Sequence, residues 1–200
     1  MKKPAPRPTV NAPHEVRIIG GLWKRSKLPV ADRPGLRPTP ARVRETLFNW
    51  LGQDLRGFRC LDAFAGTGAL GLEAASRGAT EVVLVEQDPV LARGLNAVRE
   101  RLKADTVRVE RGDGVAALLQ RRGQGLDLVF LDPPFGEGNA ELYLSALRAA
   151  RQCVRDEGFI YLEAPRAWSG DELAQLGLQV HREGQAGAVA FHLLRLLPAQ

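Results

Sequence analysis

Residues Gly66-Thr67-Gly68-Ala69-Leu70-Gly71 read GxGxxG. That spacing turns a strand sharply into a helix and aims backbone amides at a bound nucleotide. The apolar run Cys60-Leu61-Asp62-Ala63-Phe64-Ala65 precedes it, and Glu86 lies 20 positions after Gly66, at the end of the next apolar run. Taken alone, this matches the fingerprint of NAD(P) sites, where the acidic residue holds ribose hydroxyls.

Three features point instead to S-adenosylmethionine. Asp62 stands four residues before Gly66. A carboxylate there would repel a pyrophosphate but can meet the ammonium of a methionine moiety. Asp113-Gly114, after the third apolar run, can offer an acceptor and an amide to an adenine edge. Asp132-Pro133-Pro134-Phe135 follows the fourth run, and a dehydrogenase has no use for it. The expected cofactor set is Asp62, Phe64, Gly66, Gly68, Glu86, Gln87, Asp113 and Gly114, with Glu86 as a bidentate acceptor for the ribose.

The tetrapeptide suggests the reaction. The exocyclic amine of guanine or adenine is a poor nucleophile, because its lone pair is delocalised into the ring. Acceptors on its two N–H groups would localise that pair, and the Asp132 carboxylate and Pro133 carbonyl suit this task. Pro133 and Pro134 stiffen the loop by fixing φ. Phe135 can stack on the base, worth about 1–3 kcal/mol. A sulfonium-borne methyl needs no metal, so positioning is the main catalytic task.

These residues need a scaffold that gathers strand ends. From residue 59 onward, short apolar runs alternate with helical stretches. Strands are expected at 82–85, 107–109, 126–131 and 159–162 besides the run at 60–65. Helices are expected at 69–77, from Asp88-Pro89, at 115–120, 141–153 and 171–176. Continuous apolar strands between helices imply a parallel sheet covered on both faces. The last two runs, 179–182 and 189–196, suggest an antiparallel hairpin at its edge. Ahead of the sheet, 16–21 and 27–30 read as a small hairpin. Thr39-Pro40 reads as a helix start with Thr39 as N-cap, and Val43, Leu47, Trp50 and Leu51 share one face behind it. Phe48 and Trp50 are expected to pack in the core.

Leu131-Asp132-Pro133-Pro134-Phe135 resembles the [DNS]-P-P-[YFW] motif of amino-methyltransferases. Arg17-Ile18-Ile19-Gly20-Gly21, Leu28-Pro29-Val30, Gly35-Leu36-Arg37-Pro38-Thr39 and the run from Arg42 to Leu51 closely resemble the bacterial RsmD family, over about residues 16–196. The resemblance implies a Rossmann-like class I methyltransferase: an α/β fold with a seven-stranded, mostly parallel sheet. It implies transfer from S-adenosylmethionine to the N2 amine of a guanine in small-subunit (16S) ribosomal RNA, within an assembled or assembling small subunit. The target base must then be splayed or flipped out. Three rivals remain: an adenine-N6 methyltransferase acting on RNA or DNA, a non-catalytic RNA-binding assembly factor that keeps the fold, and, on the GxGxxG alone, an NAD(P) oxidoreductase.

Charge divides the chain. Residues 1–58 hold 12 Lys/Arg against 4 Asp/Glu, and residues 59–200 hold 16 against 19. A basic front on a mildly acidic body suits a polyphosphate partner. Lys24, Arg25, Lys27, Arg33, Arg37, Arg42 and Arg44 are the expected RNA contacts, with Asp32 the one counter-charge among them. The expected organisation is a tail over 1–15, a basic hairpin and helix over 16–58, and a methyltransferase domain over 59–200. Cys60 and Cys153 form no disulfide framework, so a cytoplasmic protein is expected. His14, His181 and His192 lack metal-ligand spacing, so no metal is expected. No apolar run approaches membrane-spanning length. A monomer is expected.

Overall fold

In the computed structural model, residues 15–33, 36–136 and 138–198 are described. The expected tail lies outside them except for Glu15, as does Gly35. A short antiparallel pair, β1 (Glu15–Arg17) and β2 (Lys27–Pro29), opens the chain, followed by α1 (Ala41–Trp50). Then come β3 (Arg59–Asp62), α2 (Ala69–Ser76), β4 (Glu81–Glu86), α3 (Pro89–Leu102) and β5 (Val107–Arg111). The chain continues through α4 (Gly114–Gln120), β6 (Leu126–Leu131), α5 (Ala140–Arg151), β7 (Val154–Ala164), α6 (Gly170–Gln175), β8 (Leu178–Ala186) and β9 (Val189–Leu196).

The large sheet has seven strands in the order β5-β4-β3-β6-β7-β9-β8. β3 to β7 run parallel, and β9 and β8 add an antiparallel edge. The strand order reverses between β3 and β6. Open α/β sheets bind ligands at that switch point, beyond the carboxyl ends of the strands.

The two faces of the sheet bury separate clusters. One holds Leu61, Val83, Val129 and Leu162 beneath α4, α5 and α6. The other holds Leu72, Leu84, Phe130 and Tyr161, and it also takes in Val16, Ile18 and Leu28 from the hairpin and Val43, Leu47 and Phe48 from α1. The N-terminal extension therefore shares a core with the sheet. Phe48 lies 6.4 Å from Phe130, and Trp50 stacks on Phe191 at 5.4 Å, as the helical spacing predicted.

Two expectations in this extension fail. The N-cap of α1 is Pro40, with no side-chain hydrogen bond. The Thr39 hydroxyl instead donates to Glu163 at 2.7 Å. Arg44 is not an RNA contact: only 1% of it is exposed. Its guanidinium donates to Glu73 Oε2 at 3.1 Å and to the carbonyls of Thr39 and Arg17. The expected strand over 60–65 ends at Asp62, and the loop that follows carries the site.

Candidate active site

Five acidic residues close the parallel strands on one side: Asp62 at the end of β3, Glu86 at the end of β4, Asp113 beyond β5, Asp132 after β6, and Glu163 near the end of β7. A cavity of about 730 Å³ opens there, within the size range of small-molecule sites. It is lined by Asp62, Phe64, Gly66, Glu86, Gln87, Asp113 and Gly114, and by Asp132, Pro133, Pro134 and Phe135. The sequence-expected cofactor and catalytic residues thus converge, with one exception. Gly68 is not part of the lining; it caps α2 at φ +75°, a conformation glycine adopts cheaply.

The glycine loop is anchored by carboxylates. Asp62 is buried, and its Oδ2 accepts from the Gly71 amide at 3.0 Å. Glu86 accepts from the amides of Gly66 at 2.9 Å and Asp88 at 2.8 Å, one on each oxygen. A carboxylate has spare lone pairs after one bond per oxygen, so Glu86 can shape the loop and still face a diol. Asp113 caps α4 by accepting from Ala116 at 2.8 Å. A Cβ on Gly114 would come within 2.2 Å of the Ala63 carbonyl, so only glycine lets β3 and α4 approach here.

A cationic methionine moiety can be tested against this pocket. Asp62 Oδ1 is buried with no hydrogen-bond partner, an arrangement that costs free energy unless a donor arrives. Burial pushes its carboxyl up to about 7, opposed by the Gly71 amide. An ammonium at Oδ1 would supply the missing partner, so these residues fit S-adenosylmethionine.

The tetrapeptide is braced from α5. Asn139 donates to the Pro134 carbonyl at 2.6 Å, and the Tyr143 hydroxyl donates to the Pro133 carbonyl at 3.4 Å. The Pro133 oxygen keeps a lone pair for a substrate N–H. Phe135 is 46% exposed, unusual for a phenylalanine that serves only packing. Burial raises the Asp132 carboxyl well above the carboxylate range, with further upward pushes from the charges of Glu163 and Asp62.

Of the expected RNA contacts, Lys24, Arg25, Lys27, Arg33, Arg37 and Arg42 are exposed, and Arg33 and Arg37 line the cavity mouth. Two of them find acidic partners outside their own stretch: Lys27 pairs with Glu15 at 2.9 Å and Arg33 with Asp88 at 3.4 Å. Among the described residues, Lys24, Arg25, Arg37 and Arg42 carry no ion pair. Glu163 and Tyr143 escaped the sequence reading. Glu163 nevertheless carries the same signal as Asp132, an acidic residue closing an apolar strand.

Comparison with known proteins agrees with this geometry. The family model described as "Conserved hypothetical protein 95" matches residues 16–195. The chain is 42% identical over 187 residues to ribosomal RNA small subunit methyltransferase D of Escherichia coli, covering 94% of this chain and 93% of that protein. It is 43% identical over 161 residues to the protein of the same name from Haemophilus influenzae, covering 79% and 83%. The solved structure of Escherichia coli yhhF, described as a candidate methyltransferase, superposes with a TM-score of 0.75 at 37% identity. That match spans 92% of this chain and 98% of the other. The sheet and its helices are those of a Rossmann-like class I methyltransferase.

Proposed function

The chain belongs to the Conserved hypothetical protein 95 family, the RsmD family of ribosomal RNA methyltransferases, and on that footing we propose that it methylates the exocyclic N2 amine of a guanine in small-subunit ribosomal RNA, with S-adenosylmethionine as donor. The observation that carries the reading is the convergence of Asp62, Glu86 and Asp132-Pro133-Pro134-Phe135 on one cavity. S-adenosylmethionine would bring a methyl group already activated by its sulfonium.

The chain's own residues then divide the work. Asp62 Oδ1 would take the ammonium, Glu86 the ribose hydroxyls, and Asp113 with the Gly114 amide the adenine edge. Asp132 and the Pro133 carbonyl would accept the two N–H groups of the target amine, and Phe135 would stack on its base. Asp62, Glu86 and Asp113 are held by backbone amides and the Pro133 carbonyl by α5, so little reorganisation of these acceptors remains at the moment of transfer.

The direct test is tritiated-methyl transfer to small ribosomal subunits lacking the native modification, followed by nucleoside analysis. Label in N2-methylguanosine is expected, with intact subunits a better substrate than protein-free RNA. Label in N6-methyladenosine would move the reading to the adenine rival. Absence of label in any nucleoside would favour the non-catalytic assembly factor.

The exposed cations of the extension would grip phosphates and leave base choice to the pocket. Replacing Lys24, Arg37 and Arg42 together by Gln should weaken target and non-target RNA almost equally. The slope of log affinity against log salt should fall by about one unit per lost contact. Wild-type affinity and slope in a folded triple variant would reduce these side chains to a solvated face.

A further inference from the structure

Glu163 is a buried acid in the catalytic half of the molecule with no task in the reading above. Only 4% of it is exposed. β6 and β7 run parallel with Leu131 opposite Leu162, so Asp132, directly after β6, and Glu163, in β7, come next in line. Such strands stand about 4.8 Å apart, and residues opposite each other share a face. Glu163 Oε1 accepts from the Thr39 hydroxyl at 2.7 Å and from the Tyr161 hydroxyl at 3.0 Å. Among the described residues, no cation is paired with Asp132 or Glu163.

We propose that Asp132 and Glu163 form a carboxyl pair that shares one proton, and that this pair, not water, takes the proton leaving the methylated amine. The proposal rests on the methyl-transfer reading for its second half; the pairing itself does not.

Two adjacent carboxyls in a desolvated site do not both ionise readily. Burial raises both groups. The hydroxyls of Thr39 and Tyr161 oppose this at Glu163 alone, so the negative charge rests there and the proton on Asp132. The other titratable groups around the pair are Asp62 from β3, Glu86 from β4 and Tyr143 from α5, with Arg33 and Arg37 at the cavity mouth. From β9, Glu163 meets the apolar Phe191.

During transfer the amine lone pair forms the new N–C bond, and the C–S pair stays with sulfur. The N–H proton passes to Asp132 as the proton already there passes to Glu163. The pair goes from one negative charge to none, matching the loss of the sulfonium charge. It later releases one proton to solvent.

The test is infrared titration of the unloaded protein beside single-turnover kinetics. The carbonyl band of protonated Asp132, identified by its absence in Asp132→Asn, should persist to higher pH in the wild type than in Glu163→Gln. Glu163→Gln should also lower kcat at least about tenfold, as for a lost proton-transfer partner, with cofactor affinity and the KM for RNA unchanged. Glu163→Asp, which restores the charge, should recover part of the rate and of the titration shift. It carries the test if the Gln variant fails to fold. Identical titration of Asp132 in wild type and variants would overturn the pair. A shifted titration with wild-type kcat would overturn its role as proton acceptor. A wild type that transfers no methyl would sink the functional reading, while the titration would still decide the pairing.

Discussion

Asp132→Ala is expected to lower kcat by about 10²–10⁴, the range associated with a positioned proton-transfer group, while cofactor affinity stays within a few-fold. The Asp132 carboxyl stands on the loop that follows β6, whereas the proposed cofactor contacts come from the ends of β3, β4 and β5. Its proposed partner is the substrate amine, so its loss should be felt in the step and not in the binding of the donor. The braces on the loop do not use its side chain: Asn139 holds the Pro134 carbonyl and Tyr143 the Pro133 carbonyl. The variant should therefore fold. Single-turnover transfer and calorimetry with the donor measure the two halves separately. A variant turning over near the wild-type rate would end the tetrapeptide mechanism.

The site was legible in the sequence where function is written locally. Asp88-Pro89 begins α3 as its residue types require, with the Asp88 carboxylate accepting from Val90 and Leu91. Asp62, Glu86 and Asp132 each close an apolar strand, and parallel strands bring their ends together whatever the loops do. The edge hairpin, β8 with β9, was likewise visible in two nearby runs around Gly184 and Gly187.

What the sequence concealed lies in distant partners. Thr39 has the residue type and position of an N-cap, but its hydroxyl is used by Glu163, 124 positions away. Arg44 sits in a basic run and reads as one more phosphate contact. Its partner Glu73 lies 29 positions on, in a helix that is buried on every side. Propensity and charge counts carry no information about such pairings. β7 also begins at Val154, ahead of the expected Phe159, because a register shift between Leu126 and Leu128 lets the polar stretch Arg155-Asp156-Glu157 join the strand.

That hidden pairing makes Glu73 the most damaging position to empty. Its two oxygens accept from the amides of Ile19 and Gly20, both at 2.8 Å, from Arg44 at 3.1 Å, and from Arg77 at 2.9 Å. The side chains of Glu73 and Arg44 are almost wholly buried, and that of Arg77 is nearly so. Burial pulls the Arg44 guanidinium below its usual range; the Glu73 charge opposes that pull and the neighbouring Arg77 charge adds to it. Glu73→Ala would leave two buried cations facing each other and two backbone amides without acceptors. Breaking a buried pair in this way costs about 3–5 kcal/mol, a large share of the roughly 5–15 kcal/mol that holds a typical domain together. Arg44→Met should cost less, since Glu73 keeps Arg77 and both amides. Denaturant midpoints should therefore fall in the order wild type, Arg44→Met, Glu73→Ala. The extension should also loosen before the sheet does, because Arg44 holds the carbonyls of Arg17 and Thr39. Hydrogen exchange at residues 16–20 would report that loosening. A Glu73→Ala midpoint equal to wild type would show that this cluster does not hold the extension to the sheet.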